Sequence, residues 1–253
     1  VCDSLTDAVK DADLVVLAVP VGAMGAVAEE MAPFLKAGAT VSDVGSVKGA
    51  VIAAVGPHIP EGVDFIPAHP LAGTEHSGPR SGFAELFENR WTILVPGEAG
   101  PEAVAKLRAL WEGMGANVDE MDADHHDLVL AVTSHTPHLI AYTMVGVADD
   151  LRRVTDSEVI KYSAAGFRDF TRIAASDPTM WRDVFLNNKD AVLEVLGRFD
   201  DDLTALRKAI RNGDGQKLFD VFTHARGIRR EIIDAGQDTA VANFGRDVDG
   251  KKP

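Results

Sequence analysis

Cysteine is all but missing from this chain: Cys2 is the single one in 253 residues. One thiol cannot close an internal disulfide, so the fold must rest on burial and hydrogen bonding, which suits a reducing compartment such as the cytoplasm. Long apolar runs are missing too, none approaching the roughly 20 residues a membrane-spanning helix needs, so no membrane partner is expected. Cations are scarce, 25 Lys and Arg standing against 39 Asp and Glu for a formal net charge of −14. So acidic a chain argues against a nucleic-acid partner, because phosphate neutralisation dominates such binding. It also makes arginine placement informative, since an anionic ligand must be met by a local concentration of few cations. Repeats and low-complexity tracts are absent. What is there is a globular composition, 46% hydrophobic and 25% charged, sufficient for one large core or two moderate ones.

The hydrophobic pattern changes once along the chain. Asp13–Pro20 is a near-continuous apolar run, as expected of a parallel strand covered on both faces. Thr40–Gly49 reads as a strand-to-helix junction carrying a serine and a lysine, and strand-type runs recur at Val63–Ile66, Trp91–Val95 and Asn117–Met121. Between them lie helical spacings: Met24, Val27, Met31, Phe34 and Leu35; then Val51, Ile52 and Val55; then Val104, Leu107, Leu110 and Trp111 behind Pro101. The β-α-β-α alternation predicts a mostly parallel sheet with helices on both faces. Past Asp122 only helical patterns remain. Asp122–Asp124 offers caps for a helix through Leu128, Val132 and Leu139, which Pro137 should kink. Thr155–Glu158 has capping-box spacing, Asp177-Pro178 reads as an N-cap followed by proline, and Asn212–Gly215 closes one helix before another opens. Asp247–Pro253 reads as a frayed tail.

Three constellations carry chemistry. Ala68–Glu75 follows the third strand run, and its His69-Pro70 places an imidazole at the carboxyl edge of a sheet, where open α/β folds form their crevices. The alternative is a partly buried histidine satisfied by backbone. In Gly166–Arg172, helical spacing puts Arg168 and Arg172 one turn apart beside Phe167, Phe170 and Ile173. Their forks match carboxylates in a way lysine cannot; the alternative is a solvated helix face. Ser134–His138 sets His135 and His138 three apart, without the four-residue spacing and intervening glutamate of the zinc helix, so no metal is expected. One of the two imidazoles is expected to meet a substrate oxygen and the other to be structural. His58, His76, His125, His126 and His224 read as surface residues.

Taken together, Asp43–Lys48, His69–Glu75, Ser134–His138 and Gly166–Ala174 followed by Asp177-Pro178 and Trp181 closely resemble the prephenate/arogenate (cyclohexadienyl) dehydrogenases of tyrosine biosynthesis. The resemblance runs from about Ala12 to about Ala235 in the family's order. It implies an α/β-plus-all-α architecture: a partial Rossmann-like, parallel-sheet nucleotide-binding domain over residues 1–121 and an all-helical domain, substrate-binding and dimer-forming, over 122–253. Members normally begin with a strand and a Gly-x-Gly-x-x-Gly turn. No such turn precedes Asp13, so by the family pattern the sequence is expected to start inside the domain, and the residue that separates NAD from NADP is not in it.

The implied reaction moves hydride from C4 of prephenate to NAD or NADP, creates a ketone conjugated with the ring, and loses CO2 to reach an aromatic product. The resemblance makes His69 the acceptor of the hydroxyl proton, a task suited to an imidazole with a reference pKa near 6.5. It places Ser46 beside the same hydroxyl and the nicotinamide, and Val19 and Pro20 against the dinucleotide. Arg172 would hold a substrate carboxylate, with Arg168, Thr74, His138 and Trp181 shaping the pocket. A homodimer through the helical domain and tyrosine as a possible feedback inhibitor are implied as well. Two other readings stay open here: a β-hydroxyacid-type dehydrogenase, which would normally use a lysine on its helical domain, and a non-catalytic dimeric ligand-binding module.

Overall fold

Short apolar runs punctuated by glycine and proline become short strands. The computed structural model describes residues 2–73, 78–152, 161 and 164–234. Strands β1 (Leu14–Leu17), β2 (Thr40–Asp43) and β3 (Asp64–Ile66) are parallel in that order, with Leu17 opposite Asp43 and Ser42 opposite Ile66. Strand β4 (Ala68–Pro70) runs antiparallel to β5 (Trp91–Leu94), with His69 opposite Ile93, and β6 (Asn117–Glu120) lies parallel to β5. The stretch read as one strand ending in His-Pro is therefore two. Pro67 has no N–H to donate, the ladder to β2 stops at Ile66, and the next three residues pair on the other side. A second correction concerns β1, expected to be covered on both faces. Val16 is 39% exposed, whereas all four residues of β2 are buried. Among the described residues β2 has a strand on each side and β1 has one.

The helices α1 (Leu5–Val9), α2 (Val21–Met31), α3 (Gly49–Val55) and α4 (Pro101–Gly113) intervene. Met24, Ala28 and Met31 of α2, Val41 of β2, and Val51 and Val55 of α3 form one core cluster. Burying a side chain of this size contributes about 1.5–3 kcal/mol. Gly25 lets α2 and α3 approach closely: a Cβ there would lie 3.2 Å from the Ala54 carbonyl oxygen. A second cluster joins Ile66, Ala68 and Leu94 to Leu107 and Trp111 of α4, with Phe87 edge-on to Trp111 at 5.2 Å between ring centroids.

After Asp122 the described residues contain helices and no strand. Asp122 caps α5 (Ala123–Leu130) by accepting the His125 N–H at 2.8 Å. A π-turn at Ala131–His135 leads into α6 (Thr136–Arg152). The irregularity expected at Pro137 thus falls one turn earlier, at the Thr133 carbonyl that the proline cannot serve as donor. Next come α7 (Ala165–Thr171) with a 3₁₀ turn over Arg172–Ala175, α8 (Pro178–Asn187), α9 (Lys189–Asn212) and α10 (Gly215–Asp234). Asp177 caps α8 through the Met180 N–H at 2.8 Å, with Pro178 at the first helical position. Thr155–Glu158, His76, Thr74 and the tail lie outside the described residues.

Two compact units result, one through Leu196 and one from Gly197 onward. In the first, Trp181 and Val184 of α8 join the core cluster around Met24 and Val41, so helical segments beyond residue 122 complete the sheet half. Ala123–Asp150 is long and apolar enough to cross a membrane by length and composition, which corrects the expectation that no segment would be. Its buried residues include His126, Asp127, His135 and Thr136, a polar inner face turned to its own protein. In the second unit, Leu203, Leu206, Ile210, Leu218 and Phe222 line an apolar groove of about 400 Å³ between α9 and α10.

Candidate active site

The site begins where β2 runs out. Gly45 donates its N–H to Asp43 Oδ2 at 2.7 Å, and a Cβ at Gly45 would lie 2.9 Å from that same oxygen and 3.2 Å from Met24 and Val21. A side chain at Gly45 would press on the Asp43 carboxylate that its own N–H and Lys48 hold in place. Lys48 folds inward and is fully buried, its Nζ paired with Asp43 and donating to the Ala68 carbonyl at 2.6 Å. The Ala68 N–H in turn donates to Asp43 Oδ1 at 3.1 Å. One buried ion pair therefore holds both backbone groups of the residue before His69. Burial lowers the Lys48 pKa, opposed by the charge of Asp43.

His69 is 7% exposed, and its Nδ1 lies 2.9 Å from Nε2 of His126. His126 Nδ1 is in turn 2.8 Å from Asp127 Oδ1. The expectation that His126 is a surface residue is wrong: it is fully buried on the inner face of α5. His125, its neighbour, is exposed, because successive helix positions point about 100° apart. Asp127 also accepts the Lys48 N–H at 2.8 Å and the Gly49 N–H at 2.9 Å, which ties α5 to the start of α3. Burial pushes the Asp127 pKa up, but His126 and the two N–H groups together hold it below the ordinary carboxylate value. His69 is driven well below the usual imidazole range, first by burial and then by His126, Lys48 and His135, so it stands neutral at pH 7.

Around this chain lie the remaining candidates. His135 is fully buried, with Asn188 Nδ2 3.0 Å from its Nδ1 and donating at 2.8 Å to the Asp127 carbonyl. Burial lowers the His135 pKa to about 4, against the raising influence of Asp127. A neutral His135 that accepts from Asn188 carries its proton on Nε2, and the Ser46 backbone beside the ring opposes the fall in its pKa. His138, half-buried, donates Nδ1–H to the Ser134 carbonyl at 2.8 Å and stacks on Trp181 at 3.6 Å between centroids. Burial lowers its pKa and the charge of Arg172 lowers it further. Arg172 therefore stands in electrostatic reach of His138. It sits in the 3₁₀ turn after α7, where one continuous helix through both arginines was expected; both Arg172 and Arg168, the latter on α7, are exposed. Trp181 is buried with its Nε1 unpartnered. Ser46 and Val19 are half-buried and Pro20 is the exposed N-cap of α2. No cluster of three or more metal-type ligands occurs among the described residues.

Sequence reasoning missed His126, Asp127, Lys48 with Asp43, and Asn188 as parts of one network. Asp43 and Lys48 were visible as a motif without a role, and nothing local marks His126 or Asn188.

The residues present fit a dinucleotide. Parallel β1 and β2 end side by side, where open α/β folds bind their ligands, and the N-terminus of α2 that follows β1 has no side-chain cap.

Comparison with known proteins points one way. Residues 1–120 match the family model "Prephenate dehydrogenase, nucleotide-binding domain" and residues 122–224 match "Prephenate dehydrogenase, dimerization domain". The chain is 46% identical to a cyclohexadienyl dehydrogenase of Zymomonas mobilis over 230 residues, covering 90% of this chain and 78% of that one. It is 35% identical to a prephenate dehydrogenase of Bacillus subtilis, covering 90% of this chain and 62% of that one. The solved prephenate dehydrogenase of Aquifex aeolicus in complex with hydroxyphenyl propionate and NAD+ superposes with a TM-score of 0.84 at 33% identity, over 91% of this chain and 80% of that one. A Synechocystis arogenate dehydrogenase superposes with a TM-score of 0.76 at 26% identity, over 91% and 82%.

Proposed function

The chain belongs to the prephenate dehydrogenase family, and from that premise we propose that it oxidatively decarboxylates prephenate or arogenate in tyrosine biosynthesis, using NAD+ or NADP+. The observation that carries the mechanism is His69: a buried, neutral imidazole anchored through Nδ1, next to the residue that Asp43 holds at the end of β2. When bound, the nicotinamide supplies the hydride acceptor. Val19 and Pro20 would line the dinucleotide, and Ser46 would orient the substrate hydroxyl against the imidazole. His69 takes the proton from the C4 hydroxyl through Nε2 as that carbon is oxidised. The ring ketone then draws the electrons of the departing carboxylate, and CO2 leaves as the ring becomes aromatic. Arg172 holds a substrate carboxylate, a fork-to-carboxylate pairing, next to His138 on the face of Trp181. The resemblance assigns Arg168 to the same pocket.

We assign residues 1–121 to nucleotide binding and 122–253 to substrate binding and dimerisation. The apolar side chains exposed in the second unit support the latter: Leu203, Ile210 and Phe222 are 49%, 67% and 58% exposed. Tyrosine, which shares a ring hydroxyl and a carboxylate with the product, is the feedback ligand we propose for this pocket. The scarcity of cysteine supports a cytoplasmic enzyme.

The test supplies the full gene product with prephenate or arogenate and either dinucleotide, following nicotinamide reduction and identifying the aromatic product. Formation of 4-hydroxyphenylpyruvate or tyrosine with stoichiometric reduction is the expected result. Dinucleotide binding without turnover of either substrate would favour the ligand-binding module instead.

A further inference from the structure

We propose that His126 is a positioning residue for His69: its Nε2 accepts the His69 Nδ1–H and fixes the tautomer in which Nε2 of His69 carries the bare lone pair. The proposal rests on the reading of His69 as the base.

An ionised carboxylate only accepts, and that of Asp127 already receives the Lys48 and Gly49 N–H groups, so His126 Nδ1, at 2.8 Å, must be a donor. A neutral imidazole that donates through Nδ1 accepts through Nε2. The group 2.9 Å from that Nε2 is His69 Nδ1, which must therefore be the protonated nitrogen of its ring. The rings meet edge to face, 5.1 Å between centroids and 61° apart, so a ring N–H of one can aim at the lone pair of the other. The alternative, a His126 that donates through both ring nitrogens, would turn His69 into the opposite tautomer, with its proton already on Nε2. Such a ring could not accept the substrate proton.

The groups that face His69 are Lys48 from the turn before α3, His126 from α5 and His135 from the π-turn, with Asp127 acting through His126. Of these, His126 alone is hydrogen-bonded to the His69 ring among the described residues. The partner lies 57 positions away in sequence, on the element that Asp127 straps to α3 and that Asn188 holds from α8's C-terminal end. His126 thus takes the place that a carboxylate fills beside the histidine of a serine-protease triad, and the formal charge sits one ring further back.

Nitrogen-15 NMR of the imidazoles in the full-length protein tests this without turnover. His69 should show a protonated Nδ1 and a bare Nε2 at pH 7, and His126→Leu should mix the two tautomers. In the same variant kcat should fall roughly tenfold to a hundredfold while dinucleotide affinity and the KM for substrate stay within about twofold, the split expected of an orienting residue. His126→Gln, whose amide oxygen can accept the same N–H, should recover most of kcat and the native tautomer. A His69 protonated on Nε2 in the unmutated protein overturns the proposal. So does a His126→Leu enzyme of native kcat, or a Gln variant no better than Leu. If His126→Leu fails to fold, the unmutated spectrum and the Gln variant still decide. If no substrate is turned over, the activity reading has failed and the tautomer still reports on His126.

Discussion

Histidine burial sets how this molecule responds to acid. His135 has a folded-state pKa of about 4 against an ordinary 6.5, because burial disfavours its charged form. Between those values the unfolded chain binds the proton and the folded chain does not. Stability is therefore fully present above about pH 6.5 and is lost as pH falls toward 4, by about 3 kcal/mol for this one group. His69 and His138 are shifted in the same direction and add to the same slope. Urea denaturation at pH 7 and pH 5 should show the loss, and His135→Gln should flatten it; equal stability at both pH values would contradict the burial argument. The charge of Arg172 acts on His138, and fork geometry is what lysine lacks. Arg172→Lys should raise the substrate KM by about tenfold with the fold intact, since a lysine keeps the charge and loses the two-pronged pairing with a carboxylate. If Arg168→Lys gives that phenotype and Arg172→Lys does not, the carboxylate belongs to the other arginine.

At the scale of elements, one ion pair joins β2, β4 and α3. Removing one member of a buried pair leaves an uncompensated charge and costs about 3–5 kcal/mol. Lys48→Met should therefore lower the unfolding midpoint strongly, and adding Asp43→Asn should restore part of it; a native midpoint for Lys48→Met would show that the pair does not anchor these strands. Much of the element pattern was legible. Asp122 and Asp177-Pro178 marked helix starts because caps are local, and the apolar run Trp91–Val95 marked β5 because strand burial is local too. What was not legible depends on distant partners. Pro67 splits β3 from β4 only because β5 is there to pair with the second piece. The Lys48 N–H finds its acceptor 79 residues on, at Asp127, and no spacing rule reaches that far. His126 carried no local sign of burial, since an adjacent pair of histidines in a first turn reads equally well as solvent-facing.

For the whole molecule, the second unit leaves large apolar side chains in water: Ile210, Phe219 and Phe222 are each more than half exposed, and Ile228 and Ile232 are 45% and 43% exposed. A two-fold dimer covering it should bury on the order of 2,000 Å² or more, the size of an obligate interface. Light scattering at micromolar concentration should give twice the monomer mass, and Phe222→Asp should shift it toward the monomer; a native protein of monomer mass would refute the dimer. The whole account converges on one imidazole positioned by two halves of the chain, and the most direct measurement compares the unmutated enzyme with His69→Asn. Turnover of prephenate or arogenate should fall by about 10²–10⁴-fold, the usual contribution of a general base, while dinucleotide affinity by titration stays essentially unchanged. A His69→Asn enzyme with near-native turnover would contradict the account.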